Sequence, residues 1–597
     1  MTRSDSTLTS DERNLTQHAM LIVWGHFGRT IGLLERLSKV PIAQKKVLRA
    51  PQEKITEFLV GLLSGMEYLT DLSEGPAPLT KDTEVSVAWR LQAMADASGV
   101  SRTLQVCNDE TVQGLAEVLD AVSQPFIHRA VRDLRQRNQA LVLDVDLTGR
   151  PVSSTSQSFP GAAFGYMDGE VRLGYQLAQI CLDTSLFGRQ WLSAQHHPGN
   201  TVSAGCLLSL VQEAERRVGC HPRRRTELVA RRLSACDEEI AALERQVAQQ
   251  EQRAVAHAER VARLAGQIAA AEAQVEALGT APASTRQAGP YSRFNRLKKQ
   301  TIAWRGQMER AKVQMTQARA VGARHRERRR ARLAERIRLQ ERYERLCHEN
   351  ARQSDPPRCR LRMDAGFATG ENLTAVTELG YHVDTKSAND ALVQALRNRV
   401  TADQEWTRVG KNAEMTGWTN YESNTCPYPL TVGLERFHTP KGVRHAVLIR
   451  SQQGPVTACP DLPAWFHDYN ARQTIEAGNK QEKTTFKVQH LMSRSPAGIQ
   501  IQAMLTVFAA NFVRWADEWI RPRVEQSNRR FDGVLSSPKR LVRVAANSLA
   551  AVERTDGRLL VRFGALSSFE GVVIRLSGAA VHQLPLPLFT NDHFAST

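Results

Sequence analysis

The sequence predicts an α/β protein. A mixed-sheet core is interrupted by a long antiparallel helical hairpin and a β-rich insertion, and follows an N-terminal helical domain. Three features predict this. Helical periodicity fills the stretch before residue 125, and strand-like blocks (LVLDVDL at 141–147, CRLRM at 359–363) lie far apart. Between them runs a long stretch of heptad-like apolar spacing. At 597 residues the chain also exceeds one ordinary domain.

Residues 1–135 read as the helical domain. Apolar residues recur at helical spacing in ITEFLVGLLSGMEYLTDL (55–72) and ETVQGLAEVLDAV (110–122). SGVSRTL (98–104) reads as a turn into a short helix with Ser101 as cap. Such a module is either a DNA reader or a packing unit. Residues 136–222 begin the core. LVLDVDL and VRLGYQLAQICL (171–182) read as neighbouring strands joined through the turn YMDGE (166–170), and a helix follows in AGCLLSLVQEAERRVG (204–219).

Residues 223–356 form the hairpin. Val229, Leu233, Cys236, Ile240, Leu243 and Val247 follow a four–three spacing. The register resumes at Val261, Leu264, Ile268, Ala271, Val275 and Leu278, after an interruption at Gln250 and His257. This is a coiled-coil seam. GTAPASTRQAGP (279–290) breaks it, and a second arm runs from Arg293 to Asn350. Arms of about 50 residues would each reach roughly 75 Å. The second arm carries ARHRERRRARLAERIRLQERYER (323–345), either a solvated face with Glu–Arg pairs or a rod contacting phosphates. The excess of arginine favours phosphate.

Residues 357–386 continue the core with CRLRMDAGF (359–367) and YHVDTK (381–386). Residues 387–462 are β-rich, as in YPLTVGLERF (428–437) and RHAVLIRS (444–451). Residues 463–520 hold a helix from near Trp465 to beyond Lys483 and another over 499–520. Residues 521–597 form a C-terminal domain with the strand-like LLVRF (559–563) and VVIRL (572–576).

The chain carries 79 Lys+Arg against 62 Asp+Glu, a net charge of +17, which favours a polyanionic partner such as nucleic acid. The polar start has no apolar signal core, and Ala19–Trp24 is too short to span a bilayer. The nine cysteines are scattered without a C-x-x-C pair, which predicts reduced thiols and a cytoplasmic protein.

Several acids stand out. Asp144 and Asp146 lie two apart in an apolar strand and so share a face. Asp364 ends a strand, and Glu476 lies on a later helix. Buried carboxylates are costly unless paired or bound to cations, although a lone one would read as a turn cap. DYNARQTIEAGNKQEKTTFK (468–487) spaces Tyr469, Arg472, Glu476 and Lys483 as Y-x2-R-x3-E-x6-K. On one helix they span roughly a 60° arc, with Lys480 close by. That stripe suits an acid on a metal with cations on phosphates, or an ordinary surface helix with charge pairs. Trp465, just before it, suits base stacking or a core position.

This segment resembles the YREK signature of the DDE transposases of bacterial insertion sequences. LVLDVDLTG (141–149) and LRMDAGFATGENL (361–373) resemble that family's first two acidic blocks, in the same order. The similarity covers residues 55–585 in layout and is specific only in the three blocks. It implies an RNase H-like catalytic core with Asp146, Asp364 and Glu476 as catalytic, metal-binding triad. Thr148 favours Asp146 over Asp144, which stays the alternative first acid. It further implies DNA contacts by Tyr469, Arg472 and Lys483, joined by Lys480 on the same arc. The cofactor would be two Mg²⁺ ions, with Mn²⁺ as substitute, and no His/Cys cluster suggests zinc. The implied activity is cleavage at transposon ends followed by strand transfer. The implied partners are double-stranded DNA with terminal inverted repeats, target DNA and a second copy in a homodimeric synaptic complex, without a membrane and in a bacterial, nucleoid-associated setting. The hairpin is not part of the minimal core, whereas 387–462 could represent the family's better-known β-rich insertion. An RNase H-like nuclease without strand transfer, or a domesticated non-enzymatic DNA-binding coiled-coil protein, remains open.

Overall fold

The computed structural model describes residues 12–577 except 46–48, 168, 280–287, 453–455, 536 and 556–557. The first eleven residues, most of the 279–290 breaker and residues 578–597 of the C-terminal segment lie outside the described residues. The chain divides into two units, Met1–Arg223 with Asp355–Thr597, and Arg224–Ser354.

The first unit opens with strand β1 (Glu12–Thr16) and helices α1 (Ala19–Thr30), α2 (Leu33–Leu37), α3 (Pro51–Ser64), α4 (Thr83–Ala88), α5 (Ala97–Val106) and α6 (Asp109–Gln136). The cap of α5 is Asp96, whose carboxylate accepts the Gly99 amide at 2.8 Å. Ser101 therefore lies inside the helix rather than capping it, because Asp96, five residues earlier, already satisfies the orphan amide. Helix α6 ends before Asn138, whose φ of 55° turns the chain into the sheet.

The central sheet contains β2 (Leu141–Pro151), β3 (Ala163–Met167), β4 (Glu170–Thr184) and β5 (Gly188–Pro198), followed by helix α7 (Ser203–Val218). After the second unit, built from α8 (Thr226–Gly279) and α9 (Ala288–Ala351), come β6 (Cys359–Met363), α10 (Gly370–Glu378), β7 (His382–Lys386) and α11 (Asp390–Arg399). Then follow β8 (Thr407–Arg408), β9 (Ala413–Tyr421), β10 (Leu430–Thr439) and β11 (Gly442–Ser451). The order is β3-β4-β2-β6-β7-β11-β10-β9-β8, with β5 also on β4. Strand β4 pairs antiparallel with both β2 and β5, whereas β6 and β7 continue parallel to β2. Strand β11 pairs antiparallel with β7, so the β-rich stretch 387–462 extends the core sheet.

Helices α12 (Leu462–Asn470), α13 (Gln473–Thr485) and α14 (Pro496–Ile520) come next. Helix α14 packs on β5, where Asn511 clamps both backbone groups of Trp191 at 2.8 Å. It is the one described helix long and apolar enough to cross a membrane, and 83% of its apolar window is buried inside the protein.

The chain ends with β12 (Val524–Gln526), α15 (Arg529–Leu535), α16 (Pro538–Arg540), β13 (Ala550–Thr555), β14 (Arg558–Phe563) and β15 (Val573–Ser577). The first strand joins this sheet, in the order β1-β13-β14-β15-β12. Aromatic contacts pack the N-terminal helices on α14, with Phe27 5.0 Å from Phe512 and Phe126 stacked on Trp515 at 4.5 Å, and β1 pairs antiparallel with β13. The segments read as separate domains at 1–135 and 521–597 thus share one hydrophobic core.

In the second unit α8 and α9 run antiparallel. Asp237, Glu244 and Glu251 on α8 pair with Arg336, Arg329 and Arg326 on α9 at 2.5, 2.6 and 2.9 Å. The apolar residues at four–three spacing on α8 are all buried or half-buried, while Arg324, Arg328 and Arg338 of α9 are exposed. At the base of the unit, the Arg224 amide donates to Asn350 Oδ1 at 2.7 Å, and Asn350 Nδ2 donates back to the Arg224 carbonyl at 3.0 Å.

Candidate active site

Strand β2 alternates faces, so Asp144, Asp146, Thr148 and Arg150 project from one side. Asp144 is 1% exposed and is held by both arms of Arg362 on β6, at 2.6 and 2.7 Å. Burial works to lower the Arg362 pKa, but the Asp144 carboxylate holds it above its ordinary value. With both oxygens engaged, Asp144 is a buried ion-pair partner and not the first acid of an open site.

This pair begins a row of alternating charge. Asp144, Arg362, Asp384 and Arg450 stand side by side on β2, β6, β7 and β11. Arg450 Nε donates to Asp384 Oδ1 at 2.7 Å, and Trp465 Nε1 donates to the same oxygen at 2.9 Å. Trp465 is 1% exposed, which settles it as a core residue. Arg360 bonds Asp468 at 2.8 Å, tying α12 to the sheet. None of Arg362, Asp384 and Arg450 was singled out from the sequence. The available signal was a charged side chain within each of these mostly apolar strands.

The second group lies one step along the strands. Thr148 Oγ1 donates to Asp146 Oδ2 at 3.0 Å, fixing that carboxylate. Asp364 follows β6 and caps the turn Ala365–Phe367, with its Oδ1 accepting the Gly366 amide at 2.9 Å. Its Oδ2 faces Arg472 at 4.0 Å. The guanidinium of Arg472 donates to Asp146 Oδ1 at 2.8 Å and to the Val145 carbonyl at 3.1 Å, and lies 3.5 Å from Glu476 Oε1. The three acids named from separate blocks therefore surround one buried cation. Their side chains are 13%, 35% and 63% exposed for Asp146, Asp364 and Glu476.

The electrostatics follow. Loss of water around Asp364 pushes its carboxyl above the usual range, Arg472 pulls it back, and Asp146 adds to the rise. Burial opposes the charge on Arg472, but Asp146 and Asp364 hold its pKa above the ordinary value. Among the described residues, no three carboxylate, imidazole or thiol groups converge closely enough to share one metal ion. The donor set is nonetheless all oxygen, as hard divalent cations prefer, and a positive group already stands among the acids.

The single helix expected over 468–487 is two helices. Helix α12 ends at Asn470, residues 471–472 form a turn, and α13 starts at Gln473. A tightened bond from the Arg472 amide to the Tyr469 carbonyl at 2.9 Å makes the break. The break turns Arg472 inward onto β2, where its carbonyl and carboxylate partners hold it. Tyr469 and Arg472 are consequently buried, at 6% and 5% exposure, and as the chain stands neither offers a surface to a phosphodiester. Burial also pushes the Tyr469 hydroxyl up to about 12. Lys480 is exposed and Lys483 half-exposed on α13. Gly478 of α13 packs close to Trp191 and the Arg189 guanidinium of β5.

No protein-family model matches the chain, and no curated protein matches it at a significant level.

Proposed function

We propose that the chain is a DDE transposase that cuts and joins DNA at transposon ends. The observation carrying this reading is the convergence of Asp146, Asp364 and Glu476, from three distant sequence blocks, on the single guanidinium of Arg472. The sheet supports it. A central strand with the first acid, antiparallel neighbours on one side, parallel strands on the other and a late helix bearing the glutamate are what an RNase H-like core requires.

In this reading Asp146, Asp364 and Glu476 hold two Mg²⁺ ions, or Mn²⁺ in their place. Bound there, the ions would supply an activated water or 3′-hydroxyl and stabilise the leaving oxygen. Thr148 keeps Asp146 oriented, Arg472 withdraws from the acids, and Arg472, Lys480 and Lys483 take up phosphates of the cut strand. Tyr469 anchors α12 beside Met363, its hydroxyl 3.5 Å from that carbonyl. The second unit reads as a coiled-coil hairpin, with the exposed Arg324, Arg328 and Arg338 directed at DNA. The DNA substrate carries terminal inverted repeats, and the enzyme pairs two ends as a homodimer.

The test is incubation of the purified chain with Mg²⁺ and DNA from both flanks of its coding sequence. Nicks at inverted repeats and joined strand-transfer products are the expected result. Nicks without joined products would leave a nuclease, and no Mg²⁺-dependent cleavage with any flank would reject the reading.

A further inference from the structure

Arg150 ends the same face of β2 as Asp144, Asp146 and Thr148, and it is treated differently from every other buried arginine nearby. It has no solvent exposure, and among the described residues its Nε, Nη1 and Nη2 all lack a hydrogen-bond partner. Arg362 and Arg472 are equally deep but hold carboxylates. No carboxylate bears on Arg150. Burial lowers its pKa to about 9, with only Tyr175 opposing, so the guanidinium stays charged near neutral pH.

Its surroundings repeat the pattern. Tyr175 lies across from Arg150 on β4, and its ring is 4.3 Å from His196 of β5. His196 Nε2 is also buried and without a partner. Burial and then Arg150 drop its pKa to about 3, so the imidazole is neutral. The Tyr175 hydroxyl is spent on the Pro160 carbonyl at 2.7 Å. The cluster thus presents a guanidinium fork and an unpartnered ring nitrogen, and no carboxylate. A buried charge without a partner costs several kcal/mol, and well over nine-tenths of buried polar groups find one. A methionine would fill this space at lower cost.

We infer that the Arg150 end of β2 is an internal oxyanion site, in which Arg150 and His196 take up a phosphate group. A planar guanidinium fork matches two phosphate oxygens, and His196 Nε2 can donate to a third in its Nε2-protonated tautomer. The Tyr175–Pro160 bond ties the segment 152–162 to β4 beside this cluster. The phosphate is either the free ion or a phosphodiester of DNA. The site stands whether or not the chain is a transposase.

The experiment compares thermal unfolding of the full chain in millimolar inorganic phosphate and in chloride of equal ionic strength. The expected result is a Tm about 2 °C higher in phosphate for the unaltered chain. Arg150→Met should show no phosphate response, with a chloride Tm equal to or above that of the unaltered chain. If Arg150→Met does not fold, calorimetric titration of Arg150→Lys, which offers a point charge instead of a fork, should give about tenfold weaker phosphate binding. No response in the unaltered chain, an undiminished response in Arg150→Met, or unweakened binding in Arg150→Lys overturns the site. Phosphorus NMR of bound phosphate with added duplex DNA separates the sources. Displacement identifies a DNA phosphodiester, and retention identifies the free ion.

Discussion

Two groups of charge lie on neighbouring rows of one sheet, and they are balanced differently. In the row Asp144–Arg362–Asp384–Arg450, every acid has a base beside it on the next strand. In the adjacent group, Asp146, Asp364 and Glu476 share the one buried base Arg472. The first group is electrically complete and needs nothing from outside. The second has three acids around one base, and its acids are more exposed than those of the row. Similar residue types thus close a charge balance where they are matched and, under the proposed function, are left for chemistry where they are not.

The comparison breaks most clearly if the acids of the two groups respond alike. Asp146→Asn, Asp364→Asn and Glu476→Gln should each lower DNA cleavage by about a thousandfold or more, roughly 4 kcal/mol of barrier, measured as a nicking rate. The thermal midpoint of Asp364→Asn should stay level or rise, because it removes the repulsion between Asp364 and Asp146. The complete row should behave in the opposite sense. Arg362→Met strands Asp144 and should cost about 3–5 kcal/mol in urea unfolding, most of it recovered by adding Asp144→Leu.

Glu57 on α3 offers a third degree of balance. It is fully buried, with Arg49 at 3.4 Å, and burial chiefly raises its carboxyl to about 7. A raised folded-state pKa means that the native state binds this proton more tightly than the unfolded chain. The stabilisation is complete below about 4.5 and is lost as pH rises through about 7. Glu57→Gln should therefore gain up to about 3 kcal/mol at pH 8 relative to the unaltered chain, with the difference shrinking to nothing below pH 4.5, as read from Tm against pH. The smallest effect sharpens the role of Arg472. Arg472→Met removes the competing cation, and Mn²⁺ affinity by paramagnetic resonance should rise about tenfold, close to 1.4 kcal/mol.

Asp146 and Asp364 stand out as carboxylates in or at the end of apolar strands, whereas Glu476, and Thr148 as the mark of Asp146, come from the resemblance to three ordered blocks. The inward turn of Arg472 was not, since a helical wheel assumes an unbroken helix and the break sits at residues 471–472. The charged row was hidden for another reason. Asp144 and Arg362 are 218 residues apart, and only sheet register makes them partners. The pairing of the two chain ends was hidden likewise, because the strands Glu12–Thr16 and Ala550–Thr555 carry no local sign of each other. The alternation of mixed strands and helices was readable from periodicity, whereas the extension of the sheet by β11 depended on pairing alone.

The reciprocal bonds between Arg224 and Asn350 have a consequence for how quickly this chain can fold. Closing residues 224–354 on themselves removes them from the loop that β2 and β6 must close. The effective separation drops from 218 residues to about 90, easing loop closure by about 0.8 kcal/mol. Helical pairs also form far faster than long-range parallel strands. A chain whose middle zips first would present both halves of its sheet as near neighbours, so that the insertion acts as a splint for the search that joins them.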